Sequence, residues 1–178
     1  MNIYLIGYRC TGKTSVGLLL SGRTGWQLVD TDQRITAHAG MPVSEIVEKN
    51  GWSYFREIEK QVLAETAAAS QLVVATGGGI VLDPENRAIL ENPGHFTVWL
   101  RAAPETIEKR MKADAQSKTL RPALTESSLA GEITDTLAAR TPDYESAKDL
   151  TIDTDRQSVK EICERILKEL PDARQHLR

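Results

Sequence analysis

Short apolar runs alternate along the chain with segments whose apolar residues recur every three or four positions. That alternation is the mark of βαβ units built on a parallel sheet. Residues 2–6 read as a first strand, and 13–24 as a helix with Val16, Leu19 and Leu20 on its apolar face. Residues 27–30 read as a second strand. Ser44 is placed to cap a short helix through 48, and 53–69 form a longer one with Phe55, Ile58, Val62 and Leu63 inward. Residues 71–76 read as a third strand, apolar at 72–75 and so buried on both faces. Pro84 opens a helix behind Asp83 as its cap, 96–100 is a fourth strand, and Pro104 opens a helix through 110. Residues 150–153 are a last short strand. Ser158 and Glu161 form a capping box for a helix through 170 that Pro171 ends.

The rhythm is broken at 113–128, a polar stretch between two helices with Arg121-Pro122 at its centre. A segment of that length inside a compact domain is more often a functional lid than a bare connector, and a solvated connector is the alternative. The organisation expected is one domain over 1–171, with a polar tail at 172–178.

Composition narrows the function without naming it. The chain has 178 residues, enough for one α/β domain. No apolar run approaches the roughly 20 residues of a membrane span, and the first residues lack the charge pattern of a secretory signal. Cys10 and Cys163 are too few for a disulfide scaffold, which fits reduced thiols in a cytoplasm. A net charge of −3 speaks against a dedicated nucleic-acid binder. His38, His95 and His176 show no metal-ligand spacing.

Gly7-Tyr8-Arg9-Cys10-Thr11-Gly12-Lys13-Thr14 carries the first specific chemistry. It fits G-x-x-x-x-G-K-[ST] between a strand and a helix, the context a phosphate-binding loop requires. A shuffled chain of this composition would match about 0.006 times. Successive backbone N–H groups of such a loop wrap phosphate oxygens at a helix N-terminus. Cys10, Thr11, Gly12, Lys13, Thr14 and Ser15 are the candidate nucleotide contacts. Lys13, read as a solvent-facing cation, reaches the β- and γ-phosphates, and the Thr14 hydroxyl ligates Mg²⁺.

Several other segments could meet that loop. Asp30-Thr31-Asp32 ends the second strand, and strand C-termini of a parallel sheet share one ligand-binding edge. The alternative makes Asp32 a helix cap and Asp30 a surface residue. Gly77-Gly78-Gly79 follows the third strand, either for close backbone approach to a ligand or as a flexible turn. Arg56 and Glu59 share a helix face, as a surface ion pair or as part of a site. Arg140 is a second candidate anion-binding arginine, and two converging guanidinium groups would recognise a small acidic substrate. Trp52, Tyr54 and Phe55 could stack on a ring, although Phe55 suits the core better.

Together with Phe55-Arg56-Glu57-Ile58-Glu59, Leu120-Arg121-Pro122 and Arg140-Thr141-Pro142, these motifs in this order resemble the shikimate kinase family over residues 2 to about 170. The resemblance implies a three-layer P-loop kinase fold, with a five-stranded parallel sheet in the order 2-3-1-4-5 flanked by helices. It implies transfer of the ATP γ-phosphoryl group to the 3-hydroxyl of shikimate, by a monomer without nucleic-acid or membrane partners.

Under that resemblance Asp32 holds the ring hydroxyls and accepts the proton, and Asp30 supports Mg²⁺. Arg56 and Arg140 clamp the carboxylate. Gly78 serves as a backbone donor between Gly77 and Gly79, and Glu59 orients the pocket. Arg121 is the lid arginine that completes a catalytic set with Lys13 and Asp32. Arg110 packs on adenine, and Arg156-Gln157 lies in the second adenine-side loop. The family's loops usually read G-x-x-G-x-G-K, and Cys10 stands at the fourth position here. A non-glycine residue strains the loop there if its φ is positive, and a thiol beside ATP is open to oxidants. Rival readings are a sugar-acid kinase similar to gluconate kinase and a regulatory protein that binds nucleotide.

Overall fold

The computed structural model describes residues 1–113 and 128–171. Five strands form one parallel sheet: β1 (Ile3–Ile6), β2 (Gln27–Asp30), β3 (Leu72–Ala75), β4 (Phe96–Arg101) and β5 (Leu150–Asp153). Their order is β2-β3-β1-β4-β5, as the family resemblance implies. The central strand β1 pairs Ile3 with Val73 on one side and with Phe96 on the other. The helices are α1 (Lys13–Thr24), α2 (Thr31–Ala39), α3 (Val43–Ala67), α4 (Pro84–Leu90), α5 (Pro104–Ala113), α6 (Leu129–Ala147) and α7 (Val159–Glu169).

The two-residue period of β1 assigns its side chains to two cores. Ile3 and Leu5 pack with Val73, Val98 and Ile152 against Val16 and Leu20 of α1 and Ile162 and Ile166 of α7. Tyr4 and Ile6 face the other way, onto Val74, Leu63, Trp99 and Tyr144. Helices therefore cover both faces, and the strand C-termini are left to open on one edge. Burying each such aliphatic side chain contributes about 1.5–3 kcal/mol.

Several expectations hold at the caps. Asp83 accepts from the Glu85 N–H at 2.7 Å with Pro84 behind it, and Ser158 with Glu161 forms the full capping box. Element ends shift by a residue or a few at β1, β3, β4 and α5.

Three readings need correction. Ser44 caps nothing, since the helix begins at Val43 behind Pro42; the expected division into two helices is present, at the non-helical Gly51 (φ 81°, ψ 170°) inside α3. A glycine accommodates that φ cheaply, which lets the chain turn between the two helical stretches. Residues 31–39, given no element, form α2. Its cap is Asp30, whose Oδ1 accepts from the N–H groups of Asp32 and Gln33 at 3.0 and 3.2 Å. Asp32 is thus inside the helix rather than its cap. Finally, the helix expected after 128, given no bounds, is α6, and it runs through Arg140 and Pro142. Of the lid expected at 113–128, residues 114–127, with Arg121 and Pro122, lie outside the described residues, as does the tail at 172–178.

Candidate active site

The loop from Gly7 to Lys13 joins β1 to α1 at the C-terminal edge of the sheet. A Cβ on Gly7 would sit 2.3 Å from the Leu100 carbonyl oxygen, and its φ is +134°, so only glycine fits. Lys13 is not the solvent-facing cation expected. It is 8% exposed, and its Nζ donates to the carbonyls of Gly7 and Tyr8 at 2.8 and 2.7 Å. The ammonium thereby spans its own loop. Thr11 closes the turn by donating from Oγ1 to the Tyr8 carbonyl at 2.8 Å.

Cys10 has φ 61°, in the left-handed region. The strain anticipated for a non-glycine residue at this position is therefore present.

Thr14 and Ser15 are exposed at the start of α1. Thr14 Oγ1 donates to Asp30 Oδ2 at 3.1 Å, so the loop hydroxyl and a strand-end carboxylate are neighbours. On the other flank, Arg110 donates from Nη2 to the Thr154 carbonyl at 2.7 Å. Its Nη1 donates to Thr154 Oγ1 at 3.0 Å and to the Cys10 carbonyl at 3.3 Å. This arginine clips the β5–α7 connection to the phosphate loop. Arg156 is exposed in that connection, and Gln157 Nε2 donates to the Asp153 carbonyl at 3.0 Å.

A pocket opens beside the loop. Its lining includes Tyr8, Arg9, Asp32, Val43, Trp52, Phe55, Arg56, Glu59, Gly77, Gly78, Gly79 and Arg140. The second half of α3 supplies Trp52, Phe55, Arg56 and Glu59, spaced i, i+3, i+4 and i+7 along one stripe. Glu59 is fully buried and accepts from Arg56 Nη1. Burial pushes the Glu59 carboxyl above its ordinary value, against the pull of Arg56. Trp52 meets Phe55 edge-on, with centroids 5.7 Å apart, and the Arg56 guanidinium lies 5.5 Å from the Trp52 ring. Phe55 is nonetheless 4% exposed and belongs to the core under α3.

The three glycines are set by their neighbours. A Cβ on Gly77 would lie 2.8 Å from Glu59 Oε1 and 2.9 Å from Asp32 Oδ1. One on Gly79 would lie 2.3 Å from Arg56 Nη2. The turn is therefore roofed by charged side chains on both sides, which a merely flexible turn would not need. The Gly77 N–H is already used, donating to Thr31 Oγ1 at 2.9 Å. The Gly78 carbonyl accepts from Arg140 Nη1 at 3.0 Å and from the Tyr144 hydroxyl.

Sequence reasoning named most of this lining. It missed Thr31, the middle residue of the Asp30–Asp32 motif, and it missed Arg9, Glu132 and Tyr144. A signal existed for the last two. Glu132, Thr136, Arg140 and Tyr144 recur every fourth residue and are all buried on α6. The eye passes over such a stripe because it is polar.

Sheet order, phosphate loop and adjoining charged pocket define a P-loop kinase. The shikimate kinase family model matches residues 9–171. The chain is 41% identical over 172 residues to a shikimate kinase of Symbiobacterium thermophilum, covering 97% of each chain. It is 41% identical over 165 residues to one from Moorella thermoacetica, covering 93% of this chain and 91% of that one. Among solved structures, shikimate kinase from Acinetobacter baumannii in complex with shikimate superposes with a TM-score of 0.86 at 32% identity, over 94% of this chain and 90% of that chain. The chain belongs to the shikimate kinase family and is an ATP-dependent phosphotransferase. A gluconokinase from Sinorhizobium meliloti, at 17% identity and a TM-score of 0.51, shares the fold alone.

Proposed function

We propose that the protein transfers the γ-phosphoryl group of ATP to the 3-hydroxyl of shikimate, giving shikimate 3-phosphate and ADP, with the pocket beside Gly7–Thr14 as the acceptor site. The observation that carries this reading is the placement of Arg56, Arg140 and Asp32 around one pocket that the loop residues Tyr8 and Arg9 also line. Two guanidinium groups suit the carboxylate of a small acid, and one carboxylate suits its ring hydroxyls.

Each residue then has a defined task. Arg56 and Arg140 bind the substrate carboxylate. Each is held by a second contact, Arg56 by Glu59 and Arg140 by the Gly78 carbonyl. Asp32 orients the ring hydroxyls and takes the proton of the attacking 3-hydroxyl. Gly77, Gly78 and Gly79 form the floor, with Gly77 leaving room for Asp32 and Glu59, Gly79 for Arg56, and Gly78 lying against the phosphate-loop backbone. On the nucleotide side, Cys10, Thr11, Gly12, Lys13, Thr14 and Ser15 face the phosphates, and Lys13 moves its charge from the loop carbonyls to them. Arg110, Arg156 and Gln157 flank the adenine. Arg121 is assigned to the phosphates from its place in the 114–127 segment.

A hydroxyl beside a carboxylate, Thr14 with Asp30, is an all-oxygen donor set of the kind Mg²⁺ takes. The ion, when bound there, neutralises charge on the β- and γ-phosphates. Thr14 would contact it directly and Asp30 through its surroundings.

The test is a coupled ADP-release assay with shikimate, gluconate and nucleoside monophosphates side by side. ADP release that depends on shikimate alone is expected. Release that is equal with and without shikimate would favour a regulatory nucleotide-binding protein, and a preference for gluconate the sugar-acid reading.

A further inference from the structure

The polar stripe on α6 does two jobs. Its C-terminal members, Arg140 and Tyr144, hold the Gly78 carbonyl on one wall of the pocket. Its first member, Glu132, is two turns earlier, about 12 Å along the axis. There it accepts from Arg9 Nη2 and, at 3.4 Å, from the Tyr8 hydroxyl. Arg9 and Glu132 are 8% and 3% exposed. One helix face thus grips both the glycine turn and the phosphate loop.

A buried ion pair is a poor stabiliser: desolvating both charges offsets most of their attraction, and apolar replacements often do as well. Stability is therefore a weak reason for placing one here, and its position offers a better one. Arg9 is the phosphate-loop residue that lines the acceptor pocket. Its Nε is buried and has no hydrogen-bond partner among the described residues. The contact with Glu132 is made from Nη2, so the pair sets how this guanidinium is presented where the nucleotide loop meets the acceptor site.

We propose that Glu132 is a positioning residue for phosphoryl transfer: it aims Arg9 at the junction between phosphate loop and acceptor pocket, where the migrating group passes. This rests on the phosphoryl-transfer reading above. During transfer, negative charge spreads over the equatorial oxygens of that group, and a donor already fixed in place stabilises it without reorganising. Glu132 never touches substrate; it holds the guanidinium by Nη2 and fixes the direction in which Arg9 faces the pocket. Its effect therefore appears in the transition state and hardly in ground-state binding.

The test measures kcat, KM for both substrates, and melting temperature for Glu132→Gln and for the double variant Arg9→Gln with Glu132→Gln. Glu132→Gln should lose about tenfold or more in kcat, with both KM values held within about threefold. The double variant removes both buried charges together and leaves neither unpaired, so it should melt within about 3 °C of the parent. Its kcat should stay low. Recovery of kcat along with melting temperature would overturn the proposal and make the pair a fastener. So would an unchanged kcat in Glu132→Gln, or a double variant that does not fold. Parent protein run alongside separates the two claims. If it releases no ADP with shikimate, the transfer reading falls and takes this proposal with it; if it turns over, the variants judge the pair alone.

Discussion

Arg140 and Tyr144, one helical turn apart on α6, donate to the same acceptor, the carbonyl oxygen of Gly78. The tyrosine is fully buried and stacks on Trp99, with centroids 5.6 Å apart and an interplanar angle of 20°. It fixes the carbonyl that in turn fixes the arginine. Burial also drives its hydroxyl well above the ordinary tyrosine value, so it donates at any working pH.

Tyr144→Phe keeps the stack and removes the donor. Arg140 is then held by a carbonyl that can move. KM for shikimate should rise about tenfold while KM for ATP stays within about twofold, since losing one buried hydrogen bond costs about 1–3 kcal/mol. Steady-state kinetics with each substrate varied in turn checks this. Equal rises for both substrates would refute the local role.

Gly79 sits at φ −103°, an ordinary value, so its size alone matters. An alanine methyl would overlap Arg56 Nη2 and push the guanidinium away, and that side chain is one-fifth exposed and free to yield. Gly79→Ala should fold and weaken shikimate binding by about 10- to 150-fold, the value of a charge-assisted contact of about 1.5–3 kcal/mol. Calorimetric titration reads it, and ATP-analogue affinity serves as the control.

Lys13→Ala should abolish turnover and also loosen the loop, because the carbonyls of Gly7 and Tyr8 lose their donor. Hydrogen exchange should quicken across residues 7–14 while the strands keep parental protection. Parental exchange in the loop of an inactive variant would mean the lysine serves the phosphates alone.

Cys10→Gly removes a side chain from a left-handed conformation at φ 61°. The strain relieved is about 1–2 kcal/mol, offset in part by the greater freedom of glycine in the unfolded chain. Melting temperature should rise by about 1–3 °C, with turnover retained. A lower melting temperature would show that the thiol contributes packing that outweighs the strain.

Ser158→Ala breaks the capping box of α7 and should lower the melting temperature by about 2–4 °C. The effect should depend on pH. The Ser158 side chain, and after it the Ser158 backbone N–H, hold the Glu161 carboxyl below its ordinary value. A group with a lowered folded-state pKa stabilises above its unfolded value and loses that contribution as pH falls through the folded one. Parent and variant should therefore differ most near neutrality, and the gap should narrow as pH falls through the lowered folded-state value. Urea melts at several pH values would show it, and a gap that widens in acid would contradict the sign.

The sequence by itself determined the five strands in order, most of the helices, the phosphate loop, the two capping signals and most of the pocket lining. Each is written in local information: a period of two or of about 3.6, a spacing within eight residues, a serine three places before a glutamate. Tertiary structure decided what those residues do to one another. That Asp30 caps α2 and leaves Asp32 to the pocket depends on where the strand ends against β3. That a side chain at Gly77 or Gly79 would displace Asp32, Glu59 or Arg56 depends on α2 and α3, which supply those residues. Lys13 looked like a free cation because no local pattern records a bond to its own loop. Glu132 and Tyr144 were passed over because a polar stripe gives no amphipathic signal, and only the loop and turn packed against α6 make their burial worthwhile. Contacts between residues 60 or 120 positions apart leave no mark on neighbouring sequence, since packing selects shape and charge at the meeting point alone.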